Sequence, residues 1–404
     1  MTPRILLIDD EPFQLKLLAR QLVNLGQNSV ETCTTGQEAL RLLDALPTNQ
    51  WLIFLDLNMP DMDGVEFIRQ LVARDYHGAL ALFSGEDERI LEMAVRLGRA
   101  HHLTVLGHLH KPIQPEVLQV VLERWSSQIV EPVSETHSVY SPAAVAQAIA
   151  HGELVNYYQP KVEVATGALI GVETLVRWRH PDDGLVFPDH FISVAENHAL
   201  IDALTRVVLI EALAQARRWR DNGLALRVAV NVSMDNLLQL DFADFVLDQV
   251  VCAGVTTQDL ILEVTESRLM TDLRIPLDVL TRLRLKHISL SIDDFGTGHS
   301  SLAQLRDIAF SELKIDRGFV HNANQDNTKH AIFTASLGIA RQLEMKAVAE
   351  GVEDRADWEF LRQQDCDLAQ GYFVAKAMPA AELPRWLVEW TGRYAALPNT
   401  QNPA

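Results

Sequence analysis

The stretch Ile288–Asp294, ISLSIDD, is a short apolar run that stops at two adjacent carboxylates. The same device recurs along the chain from position 173 to position 370. LIGV stops at Glu173, VAV at Asn231, LIL at Glu263, EL at Lys314, AVA at Glu350 and LA at Gln370. A run this short with β-branched residues reads as a buried strand, and a polar group at its end is costly unless something pairs with it. The spacings between the stops bracket the roughly 30 residues of a strand–helix unit. Helical stretches such as ALTRVVLIEALAQARRWRDNG lie between them. The region from 141 to 395 therefore reads as α/β, with the size of a (β/α) barrel, which typically has about 250 residues. In a barrel the carboxyl ends of the strands converge on one face; an open doubly wound sheet would gather the same residues along one edge, less compactly.

Ahead of this region, residues 1–125 alternate in the same way. RILLI, WLIFLDL and GALALFS read as strands, and FQLKLLARQLVNLG, GVEFIRQLVARD and PEVLQVVLERW as helices. Such alternation predicts a parallel sheet wound on both faces. Residues 126–140, SSQIVEPVSETHSVY, lose periodicity and read as a linker, with a helical continuation through it as the alternative, and 396–404 as a C-terminal tail.

The 404 residues carry a formal net charge of −19, which argues against a nucleic-acid partner, since such a partner calls for clustered Lys and Arg. A small anionic ligand fits if metal ions supply positive charge. Cys33, Cys252 and Cys366 are too far apart for a disulfide framework or a zinc motif and read as buried small hydrophobes. The N-terminus lacks the pattern of a signal peptide and no run approaches the ~20 apolar residues of a membrane span, so the expected location is cytoplasmic.

Chemistry enters with the acids. In the first region Asp9, Asp10 and Asp56 follow strands, Ser84 ends another, and Lys111 precedes Pro112. In a parallel sheet these share one edge. Clustered acids suit Mg²⁺, and a carboxylate beside a hydroxyl and a lysine can accept a phosphoryl group. The combination IDDEP, LDLNMPDMDG, the hydroxyl and KP resembles the receiver domain of two-component response regulators, of flavodoxin-like or CheY-like fold. That resemblance implies that Asp56 is the phosphoacceptor, that Asp9 and Asp10 with the Asn58 carbonyl help hold one Mg²⁺, and that Ser84 and Lys111 contact the phosphoryl group. It also implies a cognate histidine kinase or phosphotransfer protein. His108 stands where the family commonly has an aromatic switch residue, and the segment around it holds His101, His102 and His110, read as surface or packing residues.

In the second region the oxygen ligands Glu173, Asn231, Glu263, Asp293 and Asp294, without Cys or His, select Mg²⁺ or Mn²⁺. Two such ions suit in-line displacement at phosphorus, with Lys314 near the attacking water and Glu350 as base or further ligand. The segments YYQPKV, GVETLVRWRHP, VNVS, LEVTES, SIDDFGTGHSSL, LKIDRGFV, VAEGVE and AQGYF resemble the EAL family of cyclic di-GMP phosphodiesterases. The resemblance implies a modified TIM (β/α)8 barrel with one antiparallel strand and hydrolysis of cyclic di-GMP to linear pGpG with two Mg²⁺ or Mn²⁺ ions.

By the same resemblance Glu173, Asn231, Glu263 and Asp293 hold the first ion and Asp294 the second, and Gln370 holds the water or the active-site network. Gln159, Arg177 and Asp316 contact substrate, Glu266 anchors the DDFGTGHSS loop, and Glu353 supports it. The loop's glycines are expected to bring Asp293 and Asp294 to the metals. Departures are Thr174 in the signature, expected to point away from the site, His299 in the loop, and Lys376-Ala377 after QGY. The two-domain plan resembles response regulators of the PvrR and RocR type. A homo-oligomer, dimer or tetramer, is expected. The alternative function is a catalytically weak cyclic di-GMP receptor acting through protein–protein contacts.

Overall fold

A computed structural model describes residues 4–27, 29–45, 51–85, 88–101, 103–130, 140–265, 274–296 and 302–397. The chain divides into two compact units, Met1–His137 and Ser138–Ala404. Among the described residues no helix is long and apolar enough to cross a membrane.

The first unit is a parallel sheet of β1 (Arg4–Ile8), β2 (Val30–Cys33), β3 (Trp51–Asp56), β4 (Ala79–Ser84) and β5 (Thr104–His110), in the order β2-β1-β3-β4-β5. Alternate residues feed two cores. Leu6, Ile8, Ile53, Leu55, Leu80 and Leu82 pack on one face, and Ile5, Leu7, Leu52, Phe54, Ala81 and Phe83 on the other. A strand buried on both faces reads as a continuous apolar run, which is why RILLI and WLIFLD look as they do. The helix Pro115–Val130 runs into the stretch expected as linker, because nothing before Pro132 interrupts a helix.

Among the described residues the second unit holds ten strands: β6 (Leu154–Glu163), β7 (Leu169–His180), β8 (Gly184–Val186), β9 (Arg227–Val232), β10 (Leu260–Thr265), β11 (Ser289–Phe295), β12 (Glu312–Ile315), β13 (Lys346–Ala349), β14 (Leu368–Ala369) and β15 (Met378–Pro379). Their order is β15-β6-β14-β13-β12-β11-β10-β9-β7-β8, and the further pairing of β6 with β7 closes an eight-stranded barrel. β6 is antiparallel to both barrel neighbours, β7 and β14; the other barrel pairings are parallel. The fold is thus the modified barrel, not the open sheet.

Alternation along each strand sorts the side chains. Val228, Val230, Leu260, Leu262, Leu290, Ile292, Leu313 and Ile315 join the main core of the unit. Glu263, Ser291, Glu312 and Lys314 occupy the alternate positions and are buried as well. The helix Ile201–Asp221 packs through Leu204, Val208, Leu209, Ala212, Leu213 and Ala216, a stripe of helical period.

Of the three cysteines expected to be buried, Cys33 and Cys366 are, but Cys252 is exposed. It lies in the helix Phe242–Ala253, whose buried stripe is Phe242, Ala243, Val246 and Val250; two residues beyond Val250 the side chain faces away from that stripe.

Candidate active site

The barrel's polar side chains gather around one ammonium group. Lys314 Nζ lies 2.9 Å from Glu263 Oε2, 2.9 Å from Asp293 Oδ1, 2.8 Å from Glu350 Oε1 and 3.5 Å from Glu173 Oε2. Each residue arrives from a different strand. Glu173 sits in β7 opposite Gln159 of β6, and Glu263 in β10 opposite Asn231 of β9. Glu350 follows β13, tied through its N–H to the Ile315 carbonyl, and Gln370 follows β14, tied to the Ala349 carbonyl. The amides complete the set: Asn231 Nδ2 donates to Glu173 Oε1 at 3.0 Å, Gln370 Nε2 to Glu173 Oε2 at 2.5 Å and to Gln159 Oε1 at 3.0 Å.

Asp293 and Asp294 reach the same place by a backbone irregularity. Neighbours in a regular strand point to opposite faces, but the pairing of β11 with β12 shifts register between Ile292 and Phe295, and Asp294 adopts φ +54°. The left-handed conformation thus falls on Asp294 itself, a residue type that tolerates it, and not on the glycines alone. Ligand atoms of Asp293, Asp294 and Glu350 all lie within 4.8 Å of one another.

Two glycines are required beside the site. Gly351 has φ +64°, and a Cβ there would meet Arg317 Cβ at 2.2 Å; Gly371 has φ +153°, and a Cβ would meet Val352 N at 2.2 Å. Close approach at these points sets the chain after Glu350 and after Gln370.

The electrostatics follow from burial. Desolvation raises Glu263 to about 7 despite Lys314, and raises Asp294 to about 6 with help from the charge of Asp293. Burial lifts Glu350 well above the usual carboxylate range. Burial also pushes Glu173 up, but Lys314 and the amides of Gln370 and Asn231 outweigh it and hold this carboxyl low. Lys314 is raised well above its usual value, because its four carboxylates overcome the desolvation that favours the neutral amine.

These residues open into a cavity of about 260 Å³ lined by Gln159, Glu173, Asp293, Asp294, Lys314, Asp316, Glu350, Glu353 and Gln370, among others. Three expected residues are not on that lining: Asn231, Arg177 and Glu263, the last of which meets it only through Lys314. Asn231 lines a neighbouring, mostly apolar cavity with Thr174 and Val176. Arg177 is buried, its guanidinium 4.8 Å from the Phe187 ring and 5.7 Å from the Tyr157 ring, with Nη1 donating to the Val176 carbonyl at 2.8 Å. Thr174 lies off the Glu173 cavity, as strand alternation predicts. Asp316 caps the short helix Arg317–Val320 by accepting from Gly318 N. Glu353 lies 3.8 Å from His321 Nε2. Glu266 and His299 lie outside the described residues, as does the 297–301 segment of the loop they were expected to affect. Lys376 sits 5.0 Å over the Tyr372 ring.

Sequence reading missed Arg317 and Tyr372 on the lining, and below it Lys161 and Glu312. Period-two spacing was the available signal: Lys161 is two residues from Gln159 and Glu312 two from Lys314, hence on the same strand faces.

The smaller site lies at the carboxyl edge of the first sheet. Ligand atoms of Asp9, Asp10 and Asp56 fall within 4.8 Å of one another. Lys111 Nζ is 2.9 Å from both Asp9 Oδ2 and Asp56 Oδ2, while Asp56 Oδ1 is buried without a hydrogen-bond partner. Burial raises Asp56 above its usual value, against the pull of Lys111. Ser84 is buried at the end of β4, and Lys111 N donates to its carbonyl. His108 is half-buried on β5, and His101 and His110 are exposed. None of these three joins a cluster of metal-competent side chains among the described residues; His102 is outside them.

Comparison with known proteins supplies names for both units. The EAL domain family matches residues 143–377, and the response regulator receiver domain family matches residues 5–123. Cyclic di-GMP phosphodiesterase RocR of Pseudomonas aeruginosa is 31% identical over 377 residues, 93% of this chain and 96% of its own length. The bifunctional diguanylate cyclase/cyclic di-GMP phosphodiesterase MucR of the same organism is 42% identical over 238 residues, 59% of this chain and 35% of its own length. The solved structure of the PaMucR phosphodiesterase in complex with c-di-GMP aligns with a TM-score of 0.56 at 42% identity, covering 59% of this chain and 97% of that one.

Proposed function

The chain belongs to the EAL domain family and carries a response regulator receiver domain ahead of the barrel, and from that premise we propose that it is a cyclic di-GMP phosphodiesterase under receiver control. The observation that carries the reading is the excess of carboxylates over lysines in and beneath the barrel mouth, with four of the six carboxyls buried and two half-buried. With Lys161 and Glu312 included, two lysines face six carboxylates: Glu173, Glu263, Asp293, Asp294, Glu312 and Glu350. Burying unpaired carboxylates is expensive, and the oxygen-only donor set suits a hard divalent cation.

Glu173, Asn231, Glu263 and Asp293 would hold one Mg²⁺ or Mn²⁺, and Asp294 a second. Such ions supply positive charge to the phosphoryl oxygens and make water more acidic. The chain's own residues do the rest. Lys314, ion-paired with four carboxylates, orients the water that attacks phosphorus. Glu350, 2.8 Å from Lys314, accepts a proton from that water. Gln370 and Gln159 fix the Glu173 carboxylate by the amide chain described above. Arg177 turns its guanidinium to a substrate phosphate, and Asp316 accepts from a guanine edge. One water is consumed and one phosphodiester bond of the ring opens, giving linear pGpG.

In the receiver, Asp56 takes a phosphoryl group from a cognate kinase or phosphotransfer protein. Asp9 and Asp10 would hold one Mg²⁺, and Ser84 and Lys111 meet the phosphoryl oxygens. The chain acts as a homo-oligomer, a dimer or tetramer.

The test is incubation of the pure protein with cyclic di-GMP and Mg²⁺, following pGpG by chromatography beside Glu173→Ala. Binding without turnover in the parent would make the protein a cyclic di-GMP receptor instead. Parallel samples with a phosphoryl donor and Asp56→Asn test control by the receiver; equal rates in all of them would exclude it.

A further inference from the structure

Beneath the cavity lies a second buried ion pair that does not touch its lining. Lys161, in the antiparallel strand β6, reaches across the barrel interior to two strands that are not its neighbours in the sheet. Its Nζ is 2.5 Å from Glu312 Oε1 of β12 and 3.4 Å from Glu263 Oε1 of β10. All three side chains are at most 4% exposed. Ser291 of β11, the register partner of both Glu263 and Glu312, contributes only a hydroxymethyl at that level.

We propose that the Lys161–Glu312 pair is a positioning element that fixes the orientation of Glu263 and thereby sets the affinity of the barrel for its divalent cation. The two oxygens of Glu263 have different partners: Oε1 faces Lys161 in the interior, and Oε2 faces Lys314 at 2.9 Å, toward the cavity. Lys314 is shared among four carboxylates and cannot by itself hold one of them in a single rotamer. Lys161 supplies the second point, and Glu312 in turn holds Lys161. Stability alone gives no reason for this arrangement. An apolar layer fills other barrels of this kind, and well-packed hydrophobic replacements for a buried ion pair are commonly neutral or stabilising. Partners that orient a metal ligand, by contrast, typically change metal affinity ~10- to 100-fold when removed. The proposal rests on the reading of the barrel as a site for a divalent cation.

The test uses the full chain carrying Asp10→Asn and Asp56→Asn, so that the receiver does not contribute, and Mn²⁺ alone as the probe, titrated calorimetrically. Three variants are compared in that background: Glu263→Gln, Lys161→Met/Glu312→Leu and Glu312→Gln. The double variant removes both charges and leaves an apolar layer; Glu312→Gln keeps the shape and frees Lys161 to draw Glu263 inward. Both are expected to retain a cooperative melt and to weaken Mn²⁺ binding, the double variant at least tenfold. At saturating Mn²⁺ the KM for cyclic di-GMP should stay within twofold of the parent, because neither residue lines the cavity. A purely structural pair would lower Tm and leave the Mn²⁺ midpoint alone. A parental midpoint in either folded variant overturns the proposal. If Glu263→Gln itself binds Mn²⁺ like the parent, the metal reading of the barrel fails first, and the proposal falls with it.

Discussion

Replacing Lys314 by Met tests the charge balance of the barrel directly. The side chain is 1% exposed, and its ammonium lies within 3.5 Å of four carboxylates. Without a cation, removing it leaves those carboxylates facing one another in a site water barely reaches. Breaking a buried ion pair from one side costs about 3–5 kcal/mol. For a domain of this size a change of 1 kcal/mol moves Tm by roughly 2–4 °C, so the barrel transition should fall by roughly 6–20 °C in EDTA. Mg²⁺ should then recover more stability in the variant than in the parent, since it no longer competes with a fixed positive charge. At a concentration 100-fold above Kd a ligand adds about 2.7 kcal/mol. Calorimetric melts of both proteins, with EDTA and with Mg²⁺, supply the four numbers needed. An unchanged Tm in EDTA would refute the reasoning, as would a deficit that Mg²⁺ does not narrow. Activity should fall ~100-fold or more even with Mg²⁺, in line with loss of a preorganised donor.

Arg177→Ala should raise KM for cyclic di-GMP roughly 10- to 100-fold, the worth of one hydrogen bond to a charged group, with a smaller effect on kcat; steady-state kinetics decide it, and an unchanged KM would remove Arg177 from substrate contact. Asp56→Asn should abolish Mg²⁺-dependent labelling by a small acyl-phosphate donor, read on a phosphate-affinity gel, and persistent labelling would place the acceptor elsewhere. Burial pushes the Cys33 and Cys366 thiols up to about 12, so at pH 8 both are protonated and sheltered, whereas Cys252 is exposed. A native thiol titration at that pH should find one fast-reacting cysteine, lost in Cys252→Ser; two or more fast thiols would contradict the burial of the others.

Much of this was legible because buried strands advertise themselves. A polar residue closing an apolar run, as at Glu173, Glu263 or Glu350, marks a strand end, and the barrel brings those ends together. The edge strand Val30–Cys33 carries no such mark: Glu31 and Thr32 are exposed, so its composition resembles a loop. Asp293 and Asp294 could be named from sequence, but not the left-handed backbone at Asp294 that lets adjacent residues serve one site. Lys161 and Glu312 were passed over because neither closes its run: Lys161 lies inside β6 and Glu312 opens β12. Their partnership spans the barrel interior, and no spacing along the chain encodes a contact between strands that are not neighbours. The orientation of Arg177, folded onto Phe187 and Tyr157, was equally out of reach, since it depends on which aromatic faces surround it.

The central claim is that these converging carboxylates serve the hydrolytic opening of a cyclic dinucleotide. Its most direct measurement is a turnover of stoichiometric cyclic di-GMP in ¹⁸O-water, with Mg²⁺ or with EDTA, read by mass spectrometry. The account predicts pGpG bearing one ¹⁸O in its terminal phosphate, formed with Mg²⁺ and not in EDTA, and lost in Glu173→Ala. Cyclic di-GMP recovered intact and unlabelled from the parent protein with Mg²⁺ would contradict it.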